Sequence, residues 1–172
     1  MFAGTIADVF RPCGKRVEEV YDFSLILGGS LLLALCAQIS VFLPFSTVPI
    51  TGQTFAVLLI GAMLGSKRGG LSVLVYIVEG ASGLPVFSGG RAGAMMLAGP
   101  TGGYLIGFVA AAYVVGCLAE RNWDRKISSS ILAMVLGSIV IYFFGAAWLS
   151  VLAGVKAAIV TGVLPFIIGD II

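Results

Sequence analysis

GASGLPVFSGGRAGAMMLAGPTGGY, residues 80–104, is the stretch whose reading settles what kind of molecule this is. It is rich in glycine, punctuated by proline, and carries a single charge, Arg91. In a soluble protein such a run is an ordinary loop. Its surroundings here are apolar: 59% of the 172 residues are hydrophobic and 10% are charged. Soluble domains carry about 25% charged residues, and the mean hydropathy of this chain is +1.12. The chain is therefore an integral membrane protein. Unpaired backbone amides are costly in hydrocarbon, so irregular backbone beside membrane spans must be buried in protein, line a watery cavity or lie at the surface. A cavity wall bearing one guanidinium points to a small anionic ligand.

The totals narrow the function further. The length suits one bundle of about five or six helices at roughly 20 apolar residues per span. A net charge of +2 gives no case for nucleic acid. Histidine is absent, which excludes His-based triads, His metal sites and histidine pH switches. Cys13, Cys36 and Cys117 are scattered singly, without metal or redox spacing, and read as small apolar filler. No GxxxxGK[ST] occurs, and no HExxH or paired acids suggest an intramembrane hydrolase. The chain is thus expected not to be an enzyme, to need no cofactor or metal, and to hydrolyse no ATP by the Walker route. Residues 1–22 mix charges of both signs and lack an apolar core, so no cleavable signal is expected and the first hydrophobic run stays as an anchor.

Spans are expected over 23–45, ending at Pro44, then 53–65, 71–79, 104–118 and 131–151. A last apolar run begins at Lys156 and is interrupted by Pro165 and Gly169. The 53–65 and 71–79 segments are short and flanked by Pro/Gly irregularity, as are the broken or partial helices at transporter substrate sites. If each span crosses once, Arg11, Lys15, Arg16, Lys67, Arg68, Arg121, Arg125 and Lys126 collect on one face. Arg91 and Lys156 fall on the other. The positive-inside rule makes the first face cytoplasmic, with the amino terminus inside and the Arg91 loop outside. A re-entrant hairpin of the two short segments would keep the same sidedness. After Pro165 only a short tail follows, so 156–172 is either a kinked last span or the start of a sixth helix cut short.

Several residues are candidates for ligand contact. Arg91 offers a rigid fork of donors suited to a carboxylate; the bland alternative is a loop arginine on lipid phosphate or water. Glu79 closes a short span and either pairs with Arg91, accepts from a ligand NH, or sits at the interface. Asp170 after Gly169 suits a helix cap or a ligand contact. Thr51, Gln53 and Thr54 supply neutral polar groups or satisfy freed backbone. Tyr104, Phe87 and Trp148 are belt or packing aromatics, one or two of which could line an apolar pocket. Ser30 and Ala34 form a small-x3-small face for close helix approach, first of all within the chain.

The strings VPITGQTFAVLLIGAMLG (48–65), GLPVFSGG (83–90), GPTGGYLIGF (99–108) and LPFIIGD (164–170) resemble the BioY family, the biotin-specific S components of energy-coupling-factor (ECF) transporters. Their order and spacing hold over about 24–172. The resemblance implies an all-α, polytopic six-helix bundle of S-component type in the cell membrane, its last helix cut short here. Residues 1–22 would be a cytoplasmic segment and 23–172 a biotin-binding membrane domain. Such a subunit takes biotin from outside and passes it inward with a transmembrane coupling subunit and paired cytoplasmic ATPases. On this reading Arg91 lies in the ligand-lining loop and meets the biotin carboxylate or nearby polar atoms. Asp170 matches the aspartate of the PF-x-x-GD motif, Gln53 and Thr54 fall in VPIT-x-QT, and Glu79 lies near a polar ligand position. Ser30 and Ala34 would dock on the coupling subunit, where the family usually has Ala-x3-Ala. Composition alone would equally suit another small vitamin, or a non-transporting membrane assembly protein; the motif string selects biotin.

Overall fold

The structure, a computed structural model, describes residues 4–42, 44 and 46–166. Its helices are α1 (Ile6–Val9), α2 (Lys15–Gln38), α3 (Gln53–Leu64), α4 (Ser66–Ala81), α5 (Met95–Ala98), α6 (Gly102–Glu120), α7 (Ile127–Ala153) and α8 (Val155–Phe166). Six of them, α2, α3, α4, α6, α7 and α8, form the bundle, and α2, α6 and α7 are long and apolar enough to cross a membrane by themselves. At 1.5 Å per residue α3 is only about 18 Å long and α4 about 24 Å, short of the roughly 30 Å hydrocarbon core. The six-helix expectation therefore holds, although α3, α4 and the described part of α8 are undersized.

α6 is the hub, packed on α3, α4 and α7. Its small residues bring backbones together, as membrane helices without a hydrophobic drive between them require. A Cβ on Gly116 would fall 2.3 Å from the amide nitrogen of Ser66, and one on Gly61 of α3 would fall 2.6 Å from the carbonyl oxygen of Ala112. Gly65, at φ 85°, makes the turn between α3 and α4. That turn is tied to the end of α6 by Glu120, whose carboxylate accepts from both the amide and the hydroxyl of Ser66 at 2.8 Å.

The first span is displaced from its expected bounds. α2 starts at Lys15 because the charged turn before Phe23 is itself helical, and it ends at Gln38, well before Pro44. The backbone freed there is paired in a small hairpin, Ser40–Val41 against Ile50–Thr51, where the sequence reading placed the first of these strands inside the span. Gln38 donates from its amide to the carbonyls of Val86 and Phe87, which joins the end of α2 to the glycine-rich segment.

Of the ten lysines and arginines, only Arg91 and Lys156 stand apart from the basic end of the bundle. At that end α1 folds back under the helices, with Thr5 and Ala7 buried and the Tyr21 hydroxyl donating to the Ala7 carbonyl. Arg68 holds it there, at 2.8 Å from Asp8 and 2.7 Å from Asp22. Partial burial pulls the Asp8 carboxyl upward, but hydrogen bonds from Arg68 and Thr5 outweigh it and keep the group below its ordinary value. A depressed carboxylate stabilises the fold fully above the unfolded value, about 3.9, and loses that contribution as pH falls through the folded value. We expect the Ile6–Val9 amides to exchange faster with solvent across that window, and Asp8→Asn to flatten the step. Hydrogen exchange at a series of pH values reads both.

Candidate functional site

The end of the bundle opposite the basic one contains a small cavity of about 40 Å³. Seven structural features build its wall. Val48, Pro49 and Thr51 come from the hairpin, and Gln53 and Thr54 from the first turn of α3. Tyr76 comes from α4, Phe87, Ser88 and Met96 from the glycine-rich segment, and Tyr104, Leu105 and Phe108 from α6. Ile141 and Tyr142 of α7 and Phe166 of α8 complete it. The shortness of α3 explains the location. The hairpin brings polar backbone and Gln53 into the depth that a full-length helix would otherwise fill.

The glycine-rich segment is a folded wall. Its backbone is paired locally: the Phe87 amide donates to the Arg91 carbonyl at 3.0 Å, and the Gly93 amide to the Gly80 carbonyl at 2.8 Å. Gly89 and Gly90 hold φ near +70°, a conformation open to glycine at little cost. The chain thereby inserts Phe87 against α4, where its ring meets Tyr76 edge-on at 5.6 Å between centroids. Gly80 makes this possible, because a Cβ there would lie 2.2 Å from the tip of the Phe87 ring.

The polar groups of the cavity are neutral. Gln53 donates from its amide to the Tyr76 hydroxyl at 2.8 Å, and that hydroxyl donates to the Val86 carbonyl at 3.2 Å. Thr51 donates to the Gln53 side-chain oxygen at 3.2 Å. Tyr104 donates to the Gly162 carbonyl at 2.6 Å and stacks on Phe166 with ring centroids 5.5 Å apart. The hairpin is tied to α8 by Ser46, whose hydroxyl lies 2.7 Å from the Thr161 carbonyl. Thr54 and Ser88 line the cavity with hydroxyls that make no hydrogen bond to any described residue, which leaves those hydroxyls available to a ligand.

Because Gln53 and Tyr76 satisfy each other while buried, removing one strands the other. Gln53→Leu or Tyr76→Phe alone is expected to cost about 1–3 kcal/mol. The double variant should cost less than the sum of the two singles. Thermal unfolding of the four proteins in one detergent measures the coupling.

The residues singled out from sequence divide into groups. Gln53, Thr54 and Tyr104 meet in the cavity. Arg91 does not line it. It lies exposed on the loop just outside, donating from Nε to the carbonyl of the lining residue Ser88 at 3.1 Å and stacking over Phe42 at 5.1 Å. Glu79 faces α2 and accepts from the Ser30 hydroxyl. Ser30 and Ala34 are both buried within the chain, on the side where α2 approaches α4. Asp170 lies outside the described residues. Tyr76 and Ser88 were missed. Tyr76 interrupts an apolar run with nothing to mark its hydroxyl, whereas the position of Ser88 next to Phe87 in the flagged loop was a usable signal.

Comparison with known proteins gives the family and the fold. A sequence model of the BioY family matches residues 13–172. A probable biotin transporter BioY of Pyrococcus horikoshii is 41% identical over 151 residues, spanning 88% of both chains. A biotin transporter BioY of Rhizobium etli is 38% identical over 156 residues, covering 85% of this chain and 82% of that one. Among solved structures, the S-component for biotin from an ECF-type ABC transporter superposes with a TM-score of 0.82 at 26% identity. That match covers 92% of this chain and 87% of the other. The chain belongs to the BioY family.

Proposed function

We propose that this chain is the biotin-binding membrane subunit of a vitamin uptake transporter and that the cavity at its glycine-rich end is the biotin site. The observation that carries the reading is the pairing of apolar and aromatic walls with neutral hydrogen-bonding groups. Biotin's fused rings and methylene chain suit the first, and its uncharged ureido group suits the second. The free hydroxyls of Thr54 and Ser88 are the natural partners for the ureido group. The carboxylate then points to the mouth, where Arg91 meets it. Asp170 and Glu79 are further candidates for polar contact.

The distribution of basic residues supports a cytoplasmic amino terminus and a cavity open to the outside of the cell membrane. The chain is a capture device with no bond-making step of its own. Movement of the ligand inward is assigned to an ATP-driven module, made of a transmembrane coupling subunit and paired cytoplasmic ATPases. With Ser30 and Ala34 buried in the chain, docking on that coupling subunit would require α2 and α4 to separate there.

Binding of radiolabelled biotin to purified protein tests the reading. Saturable binding at one biotin per chain is expected, displaced by unlabelled biotin and untouched by thiamine or riboflavin. Displacement by those vitamins with equal ease would refute biotin selectivity, and the lack of any saturable binding would remove the site.

A further inference from the structure

A second concavity lies on the outside of the bundle between α4 and α6, with a volume of about 840 Å³. Leu71 and Leu74 from α4 and Ile106 and Val109 from α6 form its sides, and Lys67 and Tyr113 stand at its basic end. Gly70 and Ala110 keep it open. A Cβ on Gly70 would meet nothing nearer than the Tyr113 side chain at 4.0 Å. Above its entrance the groove presents almost unbroken hydrocarbon.

We infer that this groove holds one acyl chain of an anionic phospholipid whose phosphate rests on Lys67.

Length argues for a lipid. From Lys67 to Ile77 the groove follows ten residues of α4, about 15 Å at helical rise, or one leaflet of a roughly 30 Å hydrocarbon core. A partner helix crossing the membrane would need about twice that. Charge argues for the sign of the headgroup. Arg68 is already engaged by Asp8 and Asp22, and the Glu120 carboxylate near the same end accepts from Ser66. Lys67 is exposed and has no ion pair among the described residues. An ammonium beside an apolar slot, at the depth where helix ends meet headgroups, is a complement to an anionic lipid. Leu105 lines both this groove and the ligand cavity, so the acyl chain packs on the back of the cavity wall.

Native mass spectrometry of the full chain, released from nanodiscs of equal phosphatidylglycerol and phosphatidylcholine, tests the assignment. One retained lipid per chain is expected, predominantly phosphatidylglycerol. Lys67→Gln, a change at an exposed side chain, should reduce that preference about fivefold. Leu74→Trp, which fills the slot, should remove retained lipid of both headgroups, while thermal unfolding confirms that both variants fold. A wild-type chain that keeps no lipid overturns the proposal, as does a headgroup preference indifferent to Lys67→Gln or a retained lipid indifferent to Leu74→Trp. A lipid-free chain that migrates as a dimer broken by Leu74→Trp would give the groove to a second copy and equally overturn it.

Discussion

Gly80→Ala should weaken biotin binding at least about tenfold, corresponding to 1.4 kcal/mol. The added methyl would lie 2.2 Å from the Phe87 ring tip and within 2.6 Å of both adjoining ring carbons. Phe87 is 2% exposed, pressed edge-on against Tyr76 and part of the cavity lining, so the cavity is open space into which a displaced ring can move. Overpacking of this kind typically costs about 1–3 kcal/mol. Here the displaced ring would also occupy ligand space. Titration calorimetry with biotin reads the loss, and adding Phe87→Leu to Gly80→Ala should recover much of it. Gly28→Ala is the matched control, because a Cβ on that helical glycine meets nothing within 4 Å. Unchanged affinity in Gly80→Ala would mean that Phe87 does not form the wall of the binding site.

The second large effect concerns Arg91, and its interpretation depends on the ligand used. A hydrogen bond to a charged group is worth about 1.5–3 kcal/mol, so Arg91→Ala should lower biotin affinity roughly tenfold to a hundredfold or more. Biotinamide, with no carboxylate, should bind wild type and variant alike. Arg91 has another task in the loop, since its side chain also holds the Ser88 carbonyl and covers Phe42. If that task dominates, biotin and biotinamide will weaken together, and the proposed carboxylate contact is wrong. Comparison of the two ligands therefore separates recognition from loop support.

The parts of the molecule that were legible in the sequence depend on hydropathy and on backbone chemistry. Long apolar runs located α2, α6 and α7, and the Pro/Gly irregularity around two short runs flagged the region where the cavity lies. Gln53, Thr54 and Tyr104, which line the cavity, were conspicuous as polar residues at the ends of apolar helices beside irregular backbone. The hairpin was hidden, since two residues per strand leave no alternating pattern to detect. Tyr76 was hidden too, because its role comes from Gln53, 23 positions earlier and brought close only by packing. The bond from Ser30 to Glu79 is equally non-local, joining α2 to α4 across 49 positions. Arg91 shows the converse. Its charge made it conspicuous, but charge alone did not reveal that the side chain lies beside the cavity and not in its lining.

α8 is wound as a π-helix from Ala158 to Val163, with more residues per turn than an α-helix. That extra residue sets the phase of everything after it. Deleting one position from the 158–163 segment would restore ordinary winding and leave Phe166 facing Tyr104, whereas winding all 6 residues as α-helix would swing it through about 100°. The angular position of this aromatic residue is therefore determined by how the turn upstream is wound, and not by its immediate neighbours Leu164 and Pro165.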